Sequence, residues 1–369
     1  MKMIFLIPQI MINSKNFDNI RTVALAFILL MHTSLMNSGV IDFSIKMTGE
    51  SFHANFNQLI MDAIYINLFK AGTILFFIIS GFLFEMQFLK FTNFSIFVKK
   101  KARSLLFPYL IIFVIPIIIL TGLVEPNIGV KENLTVSVFI LRIFQNIFLS
   151  NYWFVPALFV TLIINYFIKT KYLFKSLIIF IPLWIIAYLN IYIKFAITYH
   201  TVWFVAFFFI FTLGRLMYVN NEKISNLLIL KNSKKLILLT AVFFIISNLE
   251  SVFIMSYGSN IDYANTLRIG NIFYSFSLFY LLNNLLNKIN FVMPIDISFY
   301  FIYLIHPFVL RITSTILFKN NIVIFTYPSQ YFYNIIHFLI VFITSFVIHQ
   351  FFFKFRFKSK TMSVYVFKK

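Results

Sequence analysis

Apolar residues in this chain come in long unbroken runs, not in a one-sided stripe or a strict alternation. A membrane-crossing helix needs roughly 20 mostly apolar residues. Ten runs qualify, near 20–37, 70–89, 104–124, 152–168, 176–193, 201–218, 236–254, 268–286, 297–317 and 332–353. A membrane β-barrel would show shorter alternating segments, so the pattern predicts helices. The longest intervals, near 38–69 and 125–151, are too short for a soluble domain. The second contains VSVFILRIFQNIFL (136–149), too short to span and read as interfacial. There is no internal repeat and no low-complexity tract. The expectation is an all-α integral membrane protein, a single domain over residues 1–369 built as a bundle of ten transmembrane helices.

Composition agrees. The chain is 61% apolar and 11% charged, with 53 Phe in 369 residues, and its mean hydropathy is +0.91. Soluble domains are typically about 45–50% apolar and about 25% charged. Disorder is excluded because disordered chains are poor in aromatics.

The net charge of +20 would suggest nucleic acid in a soluble protein. Here it reads as topology. With the N-terminus in the cytoplasm, 23 of the 31 Lys and Arg fall inside and 8 outside. That bias fits N-in, C-in helices under the positive-inside rule, and a miscounted span would mix the two sets. No nucleic-acid partner is expected. Without Cys there is no disulfide and no thiol nucleophile. The first residues, MKMIFLIPQIMINSKNF, lack a small-residue cleavage site and are not read as a signal peptide.

Ionisable groups inside spans are expensive and mark function by default. Arg21 opens the first span and His32 follows eleven residues later. Eleven steps of about 100° bring both to one helix face, about 16 Å apart along the axis. A mid-membrane His can act as general base, or can simply be hydrogen-bonded in the bundle. His306 lies at a similar depth in SFYFIYLIHPFVL (298–310). Pro307 after it frees backbone groups that a His can satisfy.

The run KKKAR (99–103) is a positive-inside anchor and equally a set of phosphate ligands. Ser80-Gly81 in FFIISGFLF (76–84) permits close helix packing or ligand approach, and Glu85 reads as snorkelling to the inner surface. Trp153 in YWFVPALF (152–159) reads first as an aromatic-belt residue and second as a stacking platform for a sugar. His53, His200, His337 and His349 have no evident partner. No metal-spaced cluster or nucleotide loop is present.

Taken in order, Arg21-x10-His32, FFIISGFLF, KKKARSLLFPYL, YWFVPALF and SFYFIYLIHPFVL resemble segments of the bacterial integral-membrane acyltransferase family 3. The family is typified by O-acetyltransferases of surface polysaccharides. The resemblance runs from about residue 18 to 353. It implies a multi-pass protein of the bacterial cytoplasmic membrane, among membrane lipid, working beside polysaccharide-synthesis machinery. It also implies acyl transfer from cytoplasmic acyl-CoA, by default acetyl-CoA, to a hydroxyl of a glycan or glycolipid, without a metal.

On that resemblance His32 is the catalytic His and Arg21 its partner, with His306 close to the transfer site. Lys100 and Arg103 contact the donor. The residues themselves, apart from the resemblance, offer Trp153 and Ser80 as substrate contacts. Two departures stand out. Lys100 replaces a common Arg and loses its bidentate fork. Ile74 replaces an acidic residue many members carry before the FF pair. Direct transfer and transfer through an acyl-His both remain open. The rival readings are a flippase or exporter of a lipid-linked glycan on the same scaffold, and a non-catalytic partner of a polysaccharide synthase.

Overall fold

The computed structural model describes residues 14–34, 56–91, 93–114, 136–137, 140–141, 144, 152–225, 232–256, 262–289, 299–319 and 329–355. Among these residues the structure is helical and holds no strand. The expected N-terminal segment, most of the interfacial stretch 136–149 and His53 lie outside them.

The long helices are α1 (Ser14–His32), α2 (Phe56–Phe88), α3 (Phe94–Lys101), α4 (Phe154–Tyr166), α5 (Leu173–Ile193), α6 (Phe207–Val219), α7 (Ser233–Ser256), α8 (Ile269–Ile289), α9 (Phe299–Lys319) and α10 (Ser329–Phe355). Four segments are long and apolar enough to cross a membrane: Ile60–Phe88, Thr170–Ile193, Ser233–Ser256 and Tyr331–Phe351. Shorter apolar helices run Phe154–Tyr166, Phe204–Val219 and Phe299–Ser314. Their outward faces are apolar. Leu238, Val242, Ile245, Ile246 and Leu249 of α7 are all exposed, as are Phe174, Ile178, Ile179, Ile185 and Ile186 of α5. Such continuous apolar exterior suits lipid, where each helix satisfies its own backbone.

Two elements depart from the expected boundaries. Helix α2 begins at Phe56, inside the interval expected to be an outer loop, and its 33 residues span about 50 Å. The third expected span starts early and is irregular. After Lys101 the helix passes into a π-helical turn (Ala102–Leu106), a short α segment (Phe107–Tyr109) and a second π turn (Leu110–Val114). Pro108 explains the change of winding. It has no N–H and crowds the carbonyl four residues back, and the backbone N–H of Phe107 reaches five residues back to Ala102.

Helix α2 is central, packed on α1, α6, α7 and α8. It runs antiparallel to α1: Ser34 bonds Asp62, Tyr65 bonds the carbonyl of Leu30, and Phe17 meets Phe82. It runs parallel to α6, with Phe77 beside Phe207 and Glu85 beside Arg215. The α2–α6 contact is backbone on backbone. A Cβ on Gly81 would lie 2.0 Å from the carbonyl oxygen of Phe211, and one on Gly214 would lie 2.2 Å from that of Ile78. Ser80-Gly81 therefore serves close helix packing.

Buried polar groups are tied across helices. Arg215 of α6 pairs with Glu85 of α2 at 2.6 Å, bonds the carbonyls of Asn165 and Ile168, and lies between the rings of Phe84 and Phe88. Glu85 is thus buried in an ion pair, where snorkelling was expected. Its other oxygen accepts from Thr170. Arg268 is buried just before α8. It bonds the carbonyls of Ser247 and Asn265, the hydroxyl of Ser251 and the amide oxygen of Asn67. Glu250 accepts the backbone N–H groups of Ile269 and Gly270 at the start of α8, where helix N–H groups lack internal partners.

Candidate active site

Two histidines meet inside the bundle. His32 is the last residue of α1, and His306 is eight residues into α9. Their ring centroids are 5.5 Å apart with planes at 39°. Both side chains are buried.

The local sequence fixes the protonation of His306. Pro307 has no N–H, so the carbonyl of Tyr303, four residues earlier, loses its helical donor. His306 Nδ1 takes that place at 2.7 Å. A carbonyl only accepts, so Nδ1 carries the proton. In the neutral ring Nε2 is then the lone-pair nitrogen, and it has no partner among the described residues. The next carbonyl, Leu304, accepts Tyr152 OH at 2.9 Å. His32 makes no hydrogen bond through either ring nitrogen to the described residues.

Arg21 lies on α1 with His32, and Nη1 binds Asp18 at 2.8 Å. From the KKKAR run the residue that turns inward is Lys101. It is buried, sits over the ring of Phe91 at 5.8 Å, and lies in Coulombic range of Arg21 and Lys100. Burial and those two neighbouring charges draw its ammonium down to about 8. Lys100 and Arg103 are exposed on the same rim.

Toward the other end, Lys70 of α2 and His200, in the turn before Phe204–Ala206, lie in Coulombic range of His32 and of each other. Trp153 packs on His200. Its indole is edge-on to His200 at 5.2 Å and stacks on Phe77 at 6.4 Å.

The family model described as "Acyltransferase domain" matches residues 14–354. The chain belongs to acyltransferase family 3. No curated protein and no solved structure gives a significant match. With its apolar helical exterior, this acyltransferase is a multi-pass membrane protein.

For an acyltransferase the layout has clear chemistry. A neutral imidazole held in the bundle can accept a hydroxyl proton, and a second ring with a bare Nε2 close by can steady the imidazolium that forms. Buried donors nearby can hold a developing oxyanion. A basic rim one helix-length away suits phosphates. Arg21 and His32 share α1, and His306 is added to His32 from α9. Trp153 is 7% exposed and faces the interior, so it is not an aromatic-belt residue. Ser80 is half-buried at the α2–α6 contact, ten residues along α2 from Lys70, or about 15 Å. It makes no hydrogen bond to the His pair.

The sequence reading gives Lys70 and Lys101 no role of their own and names His200 without a partner. Lys70 opens the second expected span, among the eight outside charges. A Lys only six residues before the FF of FFIISGFLF is the signal that places it inside the helix.

Proposed function

We propose that this protein is a membrane O-acyltransferase that moves an acyl group, acetyl by default, from cytoplasmic acyl-CoA to a hydroxyl of a cell-surface polysaccharide or glycolipid. The fold adopted for this reading has ten spans, N-in and C-in, in a bacterial cytoplasmic membrane. The parallel run of α2 with α6 and the antiparallel run of α1 with α2 support it, because consecutive spans alternate direction.

The observation that carries the chemistry is the buried His32–His306 pair. Arg21, Lys101, Lys100 and Arg103 at the basic rim bind the CoA phosphates. The pantetheine arm then runs the roughly 16 Å from Arg21 to His32. His32 takes the proton of the acceptor hydroxyl. The lone pair of His306 Nε2 receives a hydrogen bond from the imidazolium that forms. The alkoxide oxygen bonds to the thioester carbon, the C–S bond breaks, and the CoA thiolate recovers the proton from His32. Holding the reactants in this geometry and supplying a base are two separate contributions to rate. Trp153 stands at the acceptor side as a stacking surface for a sugar ring, and Ser80 belongs to the scaffold.

The test compares wild type with His32→Ala at matched membrane levels. The readout is transfer of labelled acetyl from acetyl-CoA into the polysaccharide or glycolipid fraction. The expected result is label in wild type and its loss in the variant. Unchanged label in the variant removes His32 from the mechanism. A wild type that transfers nothing while a lipid-linked glycan accumulates inside on its deletion would replace the enzyme with an exporter.

A further inference from the structure

We propose that Lys70 holds a negatively charged oxygen in the transfer site, with the indole N–H of Trp153 as a second donor; this deepens the acyltransferase reading and rests on it.

Two other buried cations of the bundle are spent. Arg215 is taken by Glu85 and two carbonyls, and Arg268 by two carbonyls, Ser251 and Asn67. Lys70 is 8% exposed and makes no hydrogen bond or ion pair with the described residues.

The carboxylates along its flank are also engaged. Asp62, eight residues earlier on α2, accepts from Ser34 at 3.1 Å and from Tyr263 at 2.7 Å. Glu250 accepts from Tyr192 and from the start of α8. The titratable groups that face Lys70 are His32, His200 and Arg268. None is acidic.

Trp153 repeats the pattern. The indole N–H groups of Trp184 and Trp203 donate to the carbonyls of Leu267 and Ile197. That of Trp153 has no acceptor among the described residues. Trp153 stacks on Phe77, which lies seven residues, two helical turns, beyond Lys70 on the same face of α2. Two buried donors, one cationic, thus lie without an acceptor, Lys70 in Coulombic range of His32 and Trp153 against His200. A buried ammonium is costly in a membrane unless it serves a ligand, and a group that only donates calls for one that only accepts.

Acyl transfer supplies such a group. When the acceptor oxygen bonds to the thioester carbon, the carbonyl π pair moves onto oxygen, and Lys70 holds that oxyanion. The pair returns as the C–S bond breaks. A carboxylate or phosphate on the acceptor itself would present the same chemistry.

The experiment uses the full-length protein in detergent with acetyl-CoA and, as acceptor, the glycolipid and polysaccharide fraction of the host membrane at graded amounts, comparing wild type, Lys70→Met and Trp153→Phe. Each is assayed for kcat, acceptor KM and thermal midpoint. Lys70→Met keeps the length of the side chain and removes the charge. The expected result is at least a tenfold loss of kcat/KM with a raised midpoint, because an unpaired buried charge is gone. Trp153→Phe loses less. A loss confined to kcat assigns the oxygen to the intermediate. A loss confined to acceptor KM assigns it to an anionic acceptor. Wild-type kcat and KM in Lys70→Met overturn the inference. So does a loss of activity with a lowered midpoint, the signature of a structural Lys. A wild type without transfer defeats the acyltransferase reading, and this inference with it.

Discussion

Pro307 decides what the carbonyl of Tyr303 can bind. In an uninterrupted helix that oxygen would accept the N–H of residue 307. Here it accepts His306 Nδ1–H at 2.7 Å, which leaves Nε2 as the lone-pair nitrogen of the ring. A residue with no polar side-chain atom thereby sets a tautomer.

Pro307→Ala tests this directly. The new N–H competes for the Tyr303 carbonyl, and His306 is no longer confined to one tautomer. Activity should fall about tenfold to a hundredfold, part of the ~10²–10⁴ that a positioned base contributes. The thermal midpoint should not fall, because the helix gains a hydrogen bond. Rate and unfolding measured on one preparation separate the two effects. An unchanged rate would show that the tautomer is held some other way.

Lys101 predicts a pH dependence on the donor side. Burial with Lys100 and Arg21 nearby lowers its ammonium to about 8. It is charged below that value and neutral above it. Affinity for a phosphate-bearing donor should therefore weaken as pH rises through about 8, seen as a rising acyl-CoA KM. Lys101→Arg should keep the low KM to higher pH, since guanidinium stays charged. Lys101→Met should give a high KM at every pH. A KM that is flat across this window in wild type would take Lys101 out of donor binding.

The Glu85–Arg215 pair predicts an asymmetry in stability. Glu85→Ala leaves the Arg215 guanidinium buried and uncompensated, which costs about 3–5 kcal/mol. Replacing both partners by Met should cost much less, because neither charge is then stranded. Denaturant unfolding of the detergent-solubilised protein gives both values. Equal losses in the single and double variants would show that the pair does not act as a unit.

The helices were legible in the sequence because each apolar run carries its own signal. The shared face of Arg21 and His32 was legible too, since α1 is regular between them. His306 could be placed at the depth of His32 but not opposite it, because contact between the first and ninth helices leaves no local trace. Lys101 was missed for a different reason. Two π turns and Pro108 break the helical phase beyond it, so the inward member of KKKAR cannot be counted from the residues downstream. Lys70 was hidden by a boundary. QLIMDAIYINLF carries Asp62 and Asn67 and reads as loop until its polar groups find partners next to α1 and on α7. Glu85 and Arg215 are 130 residues apart, and only the packing of Gly81 on α6 brings them together.

That packing also restricts traffic. Where a single methyl group does not fit between two backbones, a pantetheine arm does not pass. The α2–α1 contact is closed in the same way, since a Cβ on Gly72 would lie 2.7 Å from the backbone carbonyl oxygen of Ala24. Helix α2 is thus sealed along two seams at once, and bulk placed at Gly72, Gly81 or Gly214 would pry helices apart and not narrow a passage, whereas the same bulk on the outward face of α7 would meet no neighbouring backbone.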